Sequence, residues 1–299
     1  MTPDEILAKV LEEQTLATDS PELVKLRSTR EDVETLLCSE YGGSPTIRYG
    51  GSKAKNTMIR ASYDLDMTCY FGRDDNQAGA TLEEMYNDVA RVLEKKYSVD
   101  RKRSALRLTS KVPETYKIDL HVDVVPGRFI DGNGGDVFLH QSEGDKKLLK
   151  TNLDVHIQHI RGSGVTDAIR LLKLWKVLNG VDVKTFVLEL LVVDLLSKHK
   201  QAPLSAQVEL VLEAFRDRVD ALSVEDPANP TGNDLSERLD SARPSLSAAA
   251  DQTLWVIEQH GWATAFGLTN QQTKAERIQI LNRAVTSVAT PTKPWRSNL

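Results

Sequence analysis

Gly50-Gly51-Ser52 is followed, twelve residues after the serine, by Asp64-Leu65-Asp66, and further along by an acidic alternation from Asp119 to Asp123. Paired glycines let backbone N–H groups approach a phosphate closely, and Ser52 adds a hydroxyl donor. In an extended strand alternate side chains face opposite ways. Asp64, Asp66, Thr68 and Tyr70 therefore share one face, and Leu65, Met67, Cys69 and Phe71 the other. Like charges side by side raise a carboxyl's proton affinity, so the acidic face makes best sense when cations neutralise it. A second strand expected from Tyr116 to Val125 repeats the logic, with Asp119, His121 and Asp123 on one face; either aspartate offers a third carboxylate. Such a trio would hold two Mg²⁺ ions, or Mn²⁺ in their place, against a nucleoside triphosphate, because Mg²⁺ prefers carboxylate and phosphate oxygens. The chemistry indicated is nucleotidyl transfer. Gly42-Gly43-Ser44 repeats the tripeptide but has no Asp-x-Asp at the same distance, so only the second copy carries the signal.

The elements that must position these residues are legible in the periodicity. Apolar positions at helical spacing from Pro3 to Cys38 predict two helices broken near Ser20-Pro21. Strands are expected over Thr46 to Tyr49, Tyr63 to Phe71, Ser104 to Val112 and Tyr116 to Val125, with a helix over Thr81 to Tyr97. From Asn152 onward the pattern is helical almost throughout, notably Val165 to Leu178, Val183 to Ser197 and Pro203 to Leu222. Gly127 to Gly144, rich in Gly and Asp, is read as the connection between the two halves, and Asp226 to Asn233 as an ordered loop between helices. The tail carrying Pro291 and Pro294 is expected to fray.

The 299 residues suffice for one large domain or two ordinary ones. A net charge of −5 gives no general attraction to long nucleic acid. Cys38 and Cys69 stand alone, so neither a disulfide framework nor a zinc site is expected. The opening Met-Thr-Pro-Asp-Glu lacks an export pattern. The longest apolar run, Phe186 to Leu196, is interrupted by Glu189 and Asp194 and is too short for a membrane span. A cytoplasmic protein is the expectation.

Gly50-Gly51-Ser52, Thr57, Asp64-x-Asp66 and His-Val-Asp-Val-Val-Pro-Gly at 121–127 resemble the polymerase β-like nucleotidyltransferase superfamily. Within it they are most similar to the branch of oligoadenylate synthases and cGAS/DncV-like nucleotidyltransferases. The resemblance implies an α+β fold: a nucleotidyltransferase core over residues 1–150, a mixed sheet with flanking helices that include the N-terminal pair, then an α-helical nucleotide-binding domain over 151–299. It places the third metal ligand on Asp123, beside Asp64 and Asp66. It implies nucleotide contacts from Gly51 and Ser52, from Lys173 in Ile169 to Lys176, and from Thr185 in Lys184-Thr185-Phe186-Val187-Leu188-Glu189. The stretch Glu225-Asp226-Pro227-Ala228-Asn229-Pro230-Thr231-Gly232-Asn233 resembles a loop of the same branch.

The activity implied is the joining of ribonucleoside triphosphates, ATP among them, into a cyclic di- or trinucleotide. A separate effector protein in antiphage defence would read that product. The chain departs from the oligoadenylate synthases in having Asp194 where they carry a tyrosine, and no Cys/His zinc insertion is present. Rival expectations are a linear oligoadenylate synthase, an RNA-tailing or CCA-adding enzyme, a toxin-type nucleotidyltransferase acting on a macromolecule, and a nucleotide-binding pseudoenzyme.

Overall fold

The computed structural model describes residues 1–111, 122–144 and 146–268. Asp119 and His121, and the tail with Pro291 and Pro294, lie outside them. Thr2 and Glu5 form a reciprocal capping box that starts α1 (Pro3–Gln14), and Ser20 caps α2 (Pro21–Tyr41) through Leu23 N. The break at Ser20-Pro21 falls at its expected place.

Among the described residues the chain then builds a seven-stranded sheet from β1 (Thr46–Tyr49), β2 (Leu65–Phe71), β3 (Tyr97–Arg101), β4 (Leu106–Ser110), β5 (Val122–Asp131), β6 (Gly134–His140) and β7 (Leu148–Thr151). The main order is β1-β2-β5-β4-β3, with β6 on β5 and β7 on β6. Only β2 and β5 run parallel; the other pairs are antiparallel. The short helix α3 (Gly51–Lys55) links β1 to the segment before β2.

Alternation sorts β2 as expected. Leu65, Met67, Cys69 and Phe71 join α2 and α4 (Leu82–Leu93) in one core, together with Leu106, Leu108, Val122 and Val124. On the opposite face Tyr70 packs with Phe129, Val137 and Leu139, and the Tyr70 and Phe129 rings meet edge to face with centroids 5.6 Å apart. The second lobe holds α5 (Leu153–Arg161), α6 (Thr166–Asn179), α7 (Thr185–Leu195), α8 (Leu204–Asp217) and α9 (Ser236–Ala265), the last broken at Gly261. Trp175, fully buried there, donates from Nε1 to Thr253 Oγ1 at 2.8 Å. Among the described residues no helix is long and apolar enough to cross a membrane.

Three expectations need correction. The helix read over Thr81 to Tyr97 ends at Leu93, and Tyr97 opens the edge strand β3 instead. The stretch from Gly127 to Gly144 is mostly a β-hairpin, β5 running on to Asp131 and β6 returning. Its first glycine serves close packing rather than a turn, since a Cβ on Gly127 would lie 2.7 Å from Leu139 Cδ2 and 3.0 Å from Tyr70 Cδ1. Finally, α1 does not join the core of the sheet: Leu7, Val10 and Leu11 belong to the core of the helical lobe.

Candidate active site

The turn at residues 50–51 is built directly against β2. Gly50 N donates to Asp66 O at 2.8 Å, and Gly51 adopts a φ of +50°. A Cβ on Gly51 would sit 1.5 Å from Asp66 Oδ2, so no other residue fits unless the turn or the carboxylate moves. The sequence spacing thus reflects contact: the chain leaves β1, turns over Asp66 and returns through Asp64.

A cleft of about 380 Å³ opens at this point, lined by Gly50, Gly51, Ser52, Asp64, Asp66, Lys173 and Thr185 among others. Six of the expected site residues are therefore brought together. Asp123 is the direct partner of Asp66 in the parallel β2/β5 ladder, but it is not part of the cleft lining. Arg107, its direct antiparallel partner on β4, donates from Nε to Asp123 Oδ1 and from Nη2 to Oδ2, both at 2.8 Å. The Asp66 carboxyl is pushed up to about 6, by burial first and then by Asp123, with Asp64 adding to it and Lys55 and Lys173 opposing.

The back wall holds a network that sequence reasoning did not find. Glu189 on α7, 1% exposed, accepts from Lys55 Nζ through Oε2 and from Thr57 Oγ1 through Oε1, each at 2.7 Å. Lys173 Nζ donates to the Thr57 carbonyl at 2.7 Å and stands 3.9 Å from Glu189 Oε1. Burial pushes the Lys173 ammonium below the usual lysine range, and Glu189 pulls it back. Lys173 thus lines the cleft with its charge anchored to the segment that carries the glycine turn. Asn56, at the left-handed φ of +61°, ends α3 and turns the chain so that Lys55 and Thr57 both reach Glu189. The available signal was Glu189 itself, an acid inside an apolar helical run.

Thr185 is the first residue of α7, after the cap position Lys184, so its hydroxyl is not used as a helix cap. Beside it the Phe186 ring lies 4.8 Å from the His156 ring and 5.0 Å from Lys55 Nζ. His156 Nε2 is 2.6 Å from Oδ1 of Asp226, whose carboxylate also accepts from Ala228 N and Asn233 Nδ2. Burial alone would raise the Asp226 pKa, but the bonds from His156 and Asn233 more than offset it and hold the carboxyl below its usual range. The Asp226 to Asn233 loop is therefore ordered around one buried carboxylate that braces a cleft-lining histidine. Asp194 is exposed on α7.

The donor set suits a hard divalent cation: Asp64 and Asp66 bring carboxylates to one cleft, and the glycine turn packs directly against Asp66. Among the described residues no three acidic, histidine or cysteine side chains stand grouped as a metal site, and both oxygens of Asp123 accept a bond from Arg107. Asp64 and Asp66 offer the oxygen chemistry that Mg²⁺ takes, and Asp123 would add to it by sharing or exchanging its bonds to Arg107.

No protein-family model matches the sequence, and no curated protein matches it either. Solved structures do match in three dimensions. Bradyrhizobium diazoefficiens CdnG, a CD-NTase solved in complex with GTP, superposes with a TM-score of 0.69 at 13% identity, over 96% of this chain and 98% of that one. The Elizabethkingia meningoseptica CdnE cyclic dinucleotide synthase, solved with GTP and Apcpp, gives 0.64 at 15% identity over 87% and 100%. The Vibrio cholerae DncV cyclic AMP-GMP synthase, with its linear intermediate, gives 0.59 at 15% identity over 97% and 85%. The chain has the fold of the cGAS/DncV-like nucleotidyltransferases.

Proposed function

We propose that this chain is a metal-dependent nucleotidyltransferase that joins ribonucleoside triphosphates into a cyclic di- or trinucleotide with release of pyrophosphate. One observation carries the reading: the Gly50–Ser52 turn is closed onto Asp66, with Asp64 beside it in the same cleft and Asp123 next to Asp66 across the ladder. The likeness of fold to cyclic dinucleotide synthases supports it.

In the reaction a ribose hydroxyl oxygen bonds to the α-phosphorus of a bound triphosphate while the bond to pyrophosphate breaks; a second transfer onto the first nucleotide closes the ring. Asp64 and Asp66, with Asp123, would hold Mg²⁺, which when bound lowers the pKa of the attacking hydroxyl and offsets charge on the phosphates. The Gly51 backbone N–H and the Ser52 hydroxyl would grip the phosphates from one side, while the Gly50 N–H holds the turn onto Asp66. Thr185 offers a hydroxyl from the opposite wall, and Phe186 with His156 supplies an aromatic surface against which a base can stack. Glu189 fixes Lys55 and, through Thr57, the turn itself, so that the berth does not have to be ordered when substrate arrives. The product would act as a second messenger read by a separate effector protein, as in antiphage signalling.

The test is incubation with all four ribonucleotides and Mg²⁺ or Mn²⁺, phosphatase treatment, and mass spectrometry of what resists it. A cyclic product is expected from the native protein and none from the Asp66→Asn variant. Absence of any product and of pyrophosphate release would refute the activity.

A further inference from the structure

Asp66, Asp123 and Arg107 form a single row across three adjacent strands, because Asp66 pairs with Asp123 in the β2/β5 ladder and Asp123 with Arg107 in the β4/β5 ladder. Directly paired residues project from the same face of a sheet. The row therefore reads acid, acid, base, with the guanidinium at the end away from the glycine turn. Its planar fork matches both oxygens of Asp123 at 2.8 Å, the strong bidentate form of such a pair. Among the described residues Asp123 is the only acceptor for Arg107. The arginine side chain is 32% exposed against 16% for the aspartate, so water reaches the basic end more readily than the acidic one.

A cation shared between Asp66 and Asp123 needs at least one oxygen from each. Both oxygens of Asp123 already accept from Arg107, so a cation there has to share an oxygen with the guanidinium or displace it, and a guanidinium cannot leave by losing a proton. We infer that Arg107 is an internal counter-ion that occupies the third carboxylate of the metal-free protein, and that divalent cations bind the cleft in competition with it. The inference rests on the nucleotidyltransferase reading of the site and adds a control on when the site is assembled. Asp66, with Asp64 beside it in the cleft, meets the ion first. Arg107 yields Asp123 when the charge of the incoming cation makes the exchange favourable, and the triphosphate's metal adds to that charge. The opposite role is a positioning one, in which the arginine holds Asp123 in a metal-ready pose; it predicts the opposite sign.

The experiment is calorimetric titration of Mn²⁺ into the nucleotide-free full chain, for native protein, Arg107→Met and Arg107→Lys. Competition predicts that Arg107→Met binds Mn²⁺ about tenfold more tightly than native, because the ion no longer has to displace a charge-assisted hydrogen bond from Asp123. Arg107→Lys, which keeps the charge without the fork, is expected to fall between the two and guards against a folding defect in the first variant. The gain must vanish when Asp123→Asn is added to Arg107→Met. Equal or weaker Mn²⁺ binding by both arginine variants would overturn the inference. If that result comes with normal product formation by the native protein, the inference alone falls; if no protein binds Mn²⁺ and none forms product, the underlying function falls with it.

Discussion

Replacing Glu189 by glutamine removes one negative charge from a site where two ammonium groups depend on it. The carboxylate is 1% exposed, Lys173 4% and Lys55 8%, so water cannot take over either bond. Lys55 is deprived of a charge-assisted bond of 2.7 Å, Thr57 keeps an acceptor, and Lys173 no longer has the carboxylate 3.9 Å away that supports its charged form. Breaking a buried pair by removing one partner costs about 3–5 kcal/mol. Because the amide retains the Thr57 bond, we expect a destabilisation of about 3 kcal/mol in chemical denaturation at neutral pH.

The Lys173 pKa is already lowered in the native protein, and the variant should lower it further, so the destabilisation should shrink as pH rises and Lys173 gives up its proton. The double variant Glu189→Met, Lys55→Met should recover part of the stability, since an apolar pair of similar volume is often tolerated where a broken ion pair is not. Triphosphate KM should rise in Glu189→Gln, because Lys55, at the end of the helix that the glycine turn opens, loses its charge-assisted tie to α7. A change below about 1 kcal/mol, the scale of an exposed pair, would refute the view that this network fixes the berth.

Gly51→Ala should cut turnover by about 100-fold or more, because its Cβ would fall 1.5 Å from Asp66 Oδ2 at a φ of +50° and must displace the turn or the carboxylate; steady-state rates with circular dichroism check this. Asp226→Asn should destabilise the protein by about 1–3 kcal/mol at neutral pH. The Asp226 carboxyl is depressed in the folded state, so its contribution is present above the unfolded carboxylate range and fades as pH falls through the folded value; the gap between native and variant melting temperatures should close on acidification.

Much of the site is legible in the sequence because its parts are close in the chain. Gly50, Gly51, Ser52, Asp64 and Asp66 lie within one turn and one strand with its approach, and the alternation of β2 fixes which face they share. β1 likewise occupies its expected range, Thr46 to Tyr49. β3 and β7 are not legible: β3 carries Asp100 and Arg101 and β7 reads Leu148-Leu149-Lys150-Thr151, so neither shows a clear apolar–polar alternation. Gly127 reads locally as part of a connection because its packing against Tyr70 and Leu139 depends on neighbouring strands, which the local sequence does not contain. The Lys55–Glu189 pair spans 134 residues and the Arg107–Asp123 fork depends on strand register. Such pairings belong to the topology, and Lys173 shows the consequence: its position beside the cleft is legible, its bond to the Thr57 carbonyl is not.

A triphosphate is expected to lie over the Gly50–Ser52 turn, with its metal on Asp64 and Asp66. Crystals grown with a non-hydrolysable ATP analogue and Mn²⁺ test that directly. Phosphate density against Gly51 and Ser52, with an anomalous Mn²⁺ peak in contact with the Asp64 and Asp66 carboxylates, is the predicted result. Nucleotide bound elsewhere, or bound in the cleft with its phosphates turned away from residues 64 and 66, would contradict it.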